Sequence, residues 1–243
     1  AAAAQAIGEG CRVIERGDAD LILAGGSDSK INPMGMSRFH LLGLLSPSNG
    51  LAPEKSYCPF DRRHNGIILG EGSGLYVLED LEHARKRGAR IYAEIIGYGS
   101  SSDYNYDPRI TEDITGKRLA MKRALQDAQE EPSKIRVVLA NGSGIPQEDI
   151  QEAEAIQEVF GPSVKRLRVT AVKPITGHLI YGSGGVELAA AVLSVYEGAI
   201  PAVTNLETPA AKCDLPFVKT PVREKVSHLL FNSFVFGGQN AAL

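Results

Sequence analysis

Lys173 and His178, in Lys173-Pro174-Ile175-Thr176-Gly177-His178, are the residues whose types and spacing best suit chemistry. An alternating, strand-like run (Leu167, Val169, Ala171) precedes them. Glycine-rich Tyr181-Gly182-Ser183-Gly184-Gly185 and a long apolar helix over 186–196 follow. At a strand-to-helix turn, side chains can point into a cavity and backbone N–H groups stand free. A lone lysine or histidine in a soluble domain more often serves the surface or the packing, so the rest of the chain decides what this pair does.

The elements that must position the pair alternate. Residues 1–16 read as a helix with small residues on several faces, packed on both sides. After the turn Gly17-Asp18-Ala19-Asp20, residues 21–24 are expected to form a short buried parallel strand covered on both faces, as a continuous apolar run bounded by turns suggests. Residues 30–57, with Pro33, Pro47 and Pro53, read as an irregular excursion over a surface or a subunit contact. The later part of 66–79 reads as a strand whose glycines let another backbone approach. The cluster Gly70 to Gly74 lacks the Gly-Lys-Ser/Thr ending and the strand–loop–helix order of a phosphate loop. A helix over 81–87, a strand over 91–96, a loop over 97–116 and a helix over 117–129 come next. A strand over 135–140, a helix over 149–160 and a strand over 167–172 lead to the opening motif. Ala202-Val203-Thr204 and strands around Val218 and over 229–234 close the chain. This alternation predicts a layered α/β fold.

Composition narrows the partners. The 243 residues are 43% hydrophobic, enough for one or two compact domains with a core. The net charge is −3, and the densest basic piece, Arg85-Lys86-Arg87 with Arg90, reads as a solvated helix end, so no nucleic-acid partner is expected. Three cysteines (Cys11, Cys58, Cys213) form no disulfide framework, which points to a reducing, cytoplasmic setting. No apolar run approaches the roughly 20 residues needed to span a bilayer, and no signal peptide is read. Ala1-Ala2-Ala3-Ala4-Gln5-Ala6-Ile7-Gly8 already reads as the interior of a buried helix, as though the chain were cut inside a domain.

Taken together, several motifs come in one order: Ala6-Ile7-Gly8, Leu23-Ala24-Gly25-Gly26, Pro59-Phe60-Asp61, Leu69-Gly70-Glu71-Gly72, Lys173 with Thr176-Gly177-His178, and Asn232-Ser233-Phe234 with Phe236-Gly237-Gly238 and Asn240. From residue 1 to 243 this pattern resembles the β-ketoacyl-acyl-carrier-protein synthases, the elongating condensing enzymes of fatty acid and polyketide synthesis. The resemblance implies a thiolase fold, two similar α/β halves layered αβαβα, normally in a dimer. Residues 1–90 would be the rear portion of the N-terminal half and 91–243 the C-terminal half. Members of this type use a nucleophilic Cys at a helix N-terminus, two His and a Lys. The helix end lowers the thiol pKa, and hydrogen-bond donors stabilise the oxyanion.

Carried over residue by residue, the resemblance puts the nucleophile one position before Ala1. Lys173 and His178 match directly. The first family His falls on Asn141 of Asn141-Gly142-Ser143-Gly144-Ile145, and asparagine is no general base. Two threonines that hold the phosphopantetheine arm become Ser143 and Ile145, and a third falls on Pro108. Each lost hydrogen bond is worth about 0.5–1.5 kcal/mol, so three would weaken arm binding by roughly one to three orders of magnitude. The charged pair near Pro59 becomes His64 and Asn65. Asp149 and Glu152 match acidic positions, Glu152 as the expected partner of Lys173 and Asp149 as the expected cap of a helix near Ile150. Phe236 matches a gating aromatic, as gate or as core, with Val235 in place of the usual Gly. His178 reads either as a residual catalytic group or as a structural donor to a backbone carbonyl.

Ser143-Gly144-Ile145-Pro146 with Glu152-Ala153-Glu154-Ala155-Ile156 resembles the chain-length factor, the non-catalytic ketosynthase-like subunit of type II polyketide systems. The expected partners are an active ketosynthase subunit in a heterodimer, an acyl carrier protein, and the missing N-terminal part of the same fold, which would cover the sheet edge at 21–24. No bound cofactor or metal is expected, only the phosphopantetheine of the carrier protein as a substrate arm. The alternative is an active β-ketoacyl synthase with an altered His178–Asn141 site.

Overall fold

Asn32-Pro33 shows how local chemistry starts an element: the Asn32 side chain accepts from Gly35 N at 2.9 Å, and proline occupies the first helical turn. The excursion expected to be irregular therefore contains a helix. The computed structural model describes residues 1–47, 50–104, 113–235 and 237–243. In chain order the elements are α1 (Ala2–Glu15), β1 (Leu21–Ser29), α2 (Pro33–Leu41), β2 (Glu71–Glu79), α3 (Leu81–Lys86), β3 (Gly99–Ser102), α4 (Thr115–Asp127) and β4 (Val137–Leu139). There follow α5 (Pro146–Phe160), β5 (Arg168–Thr170), α6 (Lys173–Thr176), α7 (Ser183–Glu197), β6 (Ala199–Ile200), β7 (Val222–Arg223), β8 (Leu229–Val235) and β9 (Gln239–Ala242).

The main sheet runs β3-β9-β8-β4-β5. Its centre is parallel, β4 pairing with β5 and β8, while β9 is antiparallel to β8 and β3. Helices α4 and α5 cover one face through a core that includes Met121, Val138, Ile156, Val169 and Phe234. Helices α1 and α7 cover the other through Ala4, Ile7, Leu139, Leu188 and Phe231. The same two helices carry the β1–β2 pair on their far side. The order is helix, sheet, helix, sheet, the layering expected of a thiolase-like fold. Glycine sets the closest approach: a Cβ on Gly74 would stand 2.9 Å from Val186 N and nearer still to Gly185 O. The glycine-rich strand therefore does admit a second backbone, the start of α7.

Several expectations need correction. Residues 21–24 are not a parallel strand covered on both faces. β1 is antiparallel to β2, with Leu23 opposite Val77. Ile22, Ala24, Tyr76 and Leu78 face the α1–α7 core, whereas Leu21, Leu23, Leu75 and Val77 are 47–66% exposed. Apolarity on both faces was legible, but no described layer covers the second. Residues 91–96 join no ladder among the described residues, because β9 pairs only as far as Gly99 opposite Ala242. The segment at Val218 forms an isolated bridge beside β5 rather than a strand, with Val218 N donating to Val169 O at 2.9 Å. The Gly-rich end hides β9, which its lack of β-branched residues concealed.

Candidate functional site

Lys173 opens α6 and is fully buried. Its Nζ donates to Asn141 O at 2.6 Å, Asn141 Oδ1 at 2.9 Å and Glu187 Oε2 at 2.9 Å. An ammonium has three donors, so all three are engaged within the protein. The expected partner Glu152 is thus replaced by Glu187 of α7. Glu152 instead accepts from Asn141 N at 2.7 Å, Gly142 N at 2.8 Å and Asn232 Nδ2 at 3.1 Å. It holds the loop after β4 rather than the lysine, because Asn141 already stands between them. The signal for Glu187 was a single acid inside an apolar helix, which the sequence reading passed over.

Asn141 is buried, and its Oδ1 also accepts from Phe234 N at 3.2 Å. The side chain therefore ties β4, α6 and β8 together. Burial pushes Glu152 up to about 7 despite its three donors, and burial also raises Glu187 against the opposing Lys173 charge.

His178 follows α6 and bridges to Leu69: His178 N donates to Ile68 O at 2.7 Å, and Gly70 N donates to His178 O at 3.0 Å. Its ring does not donate to a turn carbonyl from Nδ1. Nδ1 accepts from Ile180 N at 3.0 Å, which leaves Nε2 to carry the proton of the neutral ring. Burial, and then the Lys173 charge, hold this histidine well below its ordinary pKa. A neutral ring with a protonated Nε2 suits hydrogen-bond donation to an oxyanion.

Ser143 and Ile145, at the positions where the resemblance puts arm-binding threonines, make their contacts within the protein. Ser143 Oγ accepts from Ile145 N at 3.1 Å and lies 3.4 Å from Asp149 Oδ1, while Ser143 O accepts from Tyr57 OH at 2.9 Å. Ile145 packs in a cluster with Phe39, Leu44, Ile67, Leu69 and Ile180. Asp149 does not cap a helix at Ile150. The helix already begins at Pro146, and from its first turn Asp149 accepts from Phe60 N at 2.8 Å and Gly144 N at 3.0 Å and pairs with His64 Nδ1 at 2.8 Å. The His64 position thus retains a carboxylate partner. Phe236 and Pro108 lie outside the described residues. Among the described residues, no group of three or more His, Cys, Asp or Glu could hold a metal ion, and no helix is long and apolar enough to cross a membrane.

The layered fold and the buried lysine–histidine–glutamate set define a thiolase-like ketosynthase framework. Residues 1–84 match the description "Beta-ketoacyl synthase, N-terminal domain" and residues 92–207 "Beta-ketoacyl synthase, C-terminal domain". Over 238 residues the chain is 40% identical to 3-oxoacyl-(acyl-carrier-protein) synthase 2 of Coxiella burnetii, covering 98% of this chain and 57% of that protein. Among solved structures, a type II PKS acyl-carrier protein in complex with its ketosynthase bound to the hexaketide (AntDE:AntF) superposes with a TM-score of 0.95 at 31% identity, covering 99% of this chain and 59% of that one. The ishigamide ketosynthase/chain length factor gives a TM-score of 0.90 at 34% identity, covering 100% and 58%. The chain belongs to the β-ketoacyl synthase family, and it spans little more than half the length of these relatives.

Proposed function

We propose that the protein is a ketosynthase-like subunit of the chain-length-factor type, which pairs with an active β-ketoacyl-acyl-carrier-protein synthase during chain elongation. One observation carries this reading: all three Lys173 donors are taken inside the protein, two of them by Asn141, at the position where the family resemblance puts a catalytic histidine. A lysine saturated in this way serves as a strut, and an asparagine cannot take up a substrate proton. The internal use of Ser143 and the packing of Ile145 support the same reading, since neither offers a free hydroxyl to a phosphopantetheine arm. Residues 1–90 are read as the rear of an N-terminal ketosynthase half and 91–243 as the C-terminal half. The remaining part of the first half is a further partner, fitted to the apolar outer face of β1–β2. The acyl carrier protein presents its phosphopantetheine to the pair, and Phe236 is read as a gating aromatic.

His178 favours a second reading. A neutral ring with its proton on Nε2 is the form that donates to an enolate oxyanion, and on this reading the chain decarboxylates malonyl-carrier protein, with the nucleophile preceding Ala1. Carbon dioxide release separates the two. Under the first reading the protein alone releases none, copurifies with a ketosynthase, and restores chain elongation on mixing. Release by the protein alone, lost in His178→Ala, would overturn the subunit reading in favour of the enzyme.

A further inference from the structure

The N-terminal ends of α4 and α5 meet beside β8, and Lys117, Glu148 and Gln151 are buried there. Lys117, in the first turn of α4, donates from Nζ to Gln151 Oε1 of α5 at 2.8 Å. The same Nζ stands 5.9 Å from the centre of the Phe234 ring in β8, within cation–π range. Glu148 lies in the first turn of α5. Burial raises its pKa, and among the groups that pull it back the Lys117 charge leads, followed by the Ser143 hydroxyl and then Lys173. The Glu148 carboxyl thus feels both lysines, Lys117 on α4 and Lys173 in the site.

A lysine is unfavourable at this place on two counts. The N-terminus of a helix carries partial positive charge, which disfavours a cation, and burial strips the ammonium of water. A leucine would fill similar volume without either cost. What the lysine adds is a directed bond from α4 to α5, which holds its own long stem and the Gln151 side chain across the space between the helices.

The place of this brace gives it a use. Ser143 and Ile145, where the resemblance puts arm-binding threonines, directly precede α5, and Phe234 leads into the gate position Phe236. The Ser143 hydroxyl meets Glu148, and Glu148 is in turn under the Lys117 charge. An open passage would leave its lining side chains wet, yet Ser143, Ile145, Lys117, Glu148 and Gln151 are only 1–7% exposed. We propose that Lys117, Gln151 and Glu148 form a side-chain plug that shuts the phosphopantetheine arm out of this subunit, so that the paired ketosynthase alone receives it. The plug rests on the subunit reading above.

The test places a thiol at the shut position. Ser143→Cys is made in the full-length protein, and alkylation by a chloroacetamide analogue of pantetheine is followed by peptide mass spectrometry. With Lys117 and Gln151 present, the introduced thiol is expected to react as slowly as buried Cys213. Adding Lys117→Ala or Gln151→Ala is expected to speed it by at least ~10-fold while Cys213 stays slow. Gln151→Glu, which keeps an acceptor for Lys117, should leave it slow. The plug is overturned by fast reaction with Lys117 and Gln151 in place, by no acceleration in the alanine variants, or by equal acceleration in Gln151→Glu. Acceleration shared with Cys213 also overturns it, since the whole fold would then have loosened. Failure of the plug shows in the thiol, whereas failure of the subunit reading shows as carbon dioxide release by the protein alone.

Discussion

At the scale of single residues, the site is a set of buried polar groups satisfied by one another. Lys173→Met would strand Glu187 and the oxygens of Asn141, so it is expected to cost about 3–5 kcal/mol, read from urea unfolding. The double variant Lys173→Met/Glu187→Leu removes both charges and should lose less than Lys173→Met alone; an additive loss would show that the pair is not coupled. Glu152 supplies a pH dependence. Its folded pKa, about 7, lies above the ordinary 4.5, so folding favours the protonated form. Its contribution is complete below pH 4.5 and is lost as pH rises through 7. Burial raises Glu187 and Glu148 as well, in the same sense. The measurable quantity is therefore the difference in slope between wild type and Glu152→Gln, which should be shallower. Lys173, His178 and Asn141 were legible as site positions because each sits in a motif. The Lys173–Glu187 pairing was not, because which acid reaches the lysine depends on where α7 starts.

At the scale of elements, glycine and proline mark the junctions that bring the site together. Gly74→Ala is expected to destabilise by roughly 1–3 kcal/mol, since its Cβ would push β2 from the start of α7. Gly88→Ala tests a different cause: nothing lies within 4 Å of its Cβ, but its φ of +70° carries strain of its own. Local thermal shifts from Gly74→Ala that leave β1–β2 and α7 unmoved by exchange would contradict the close-approach argument. The long helices α1, α4 and α7 were readable from periodicity. The true start of α5 was obscured because Pro146, a good first-turn residue, follows a loop with Gly142 and Gly144 at positive φ. β9 was missed because its side chains, Gln239, Asn240, Ala241 and Ala242, carry little strand propensity, and pairing with β8 and β3 overrides that.

At the scale of the whole molecule, the outer face of β1–β2 carries four exposed apolar side chains, Leu21, Leu23, Leu75 and Val77. Leu23→Thr with Val77→Thr should change unfolding free energy by no more than about 0.5 kcal/mol per site, because both side chains are more than half exposed. The same pair should lower light scattering at high protein concentration, since a smaller apolar patch remains. A large stability loss would show that the face is covered within the chain itself.

The sequence by itself determined the family, the layered α/β class and the positions of Lys173, His178 and Asn141, since motif order and apolar periodicity are local properties. Only the tertiary structure decided that Glu187 takes the lysine, that Glu152 holds the 141–142 loop, and that the His178 ring accepts rather than donates at Nδ1. Those outcomes depend on which buried donors and acceptors meet across α6, α7, β4 and β8, and burial without water forces each group onto whichever partner the packing places within reach.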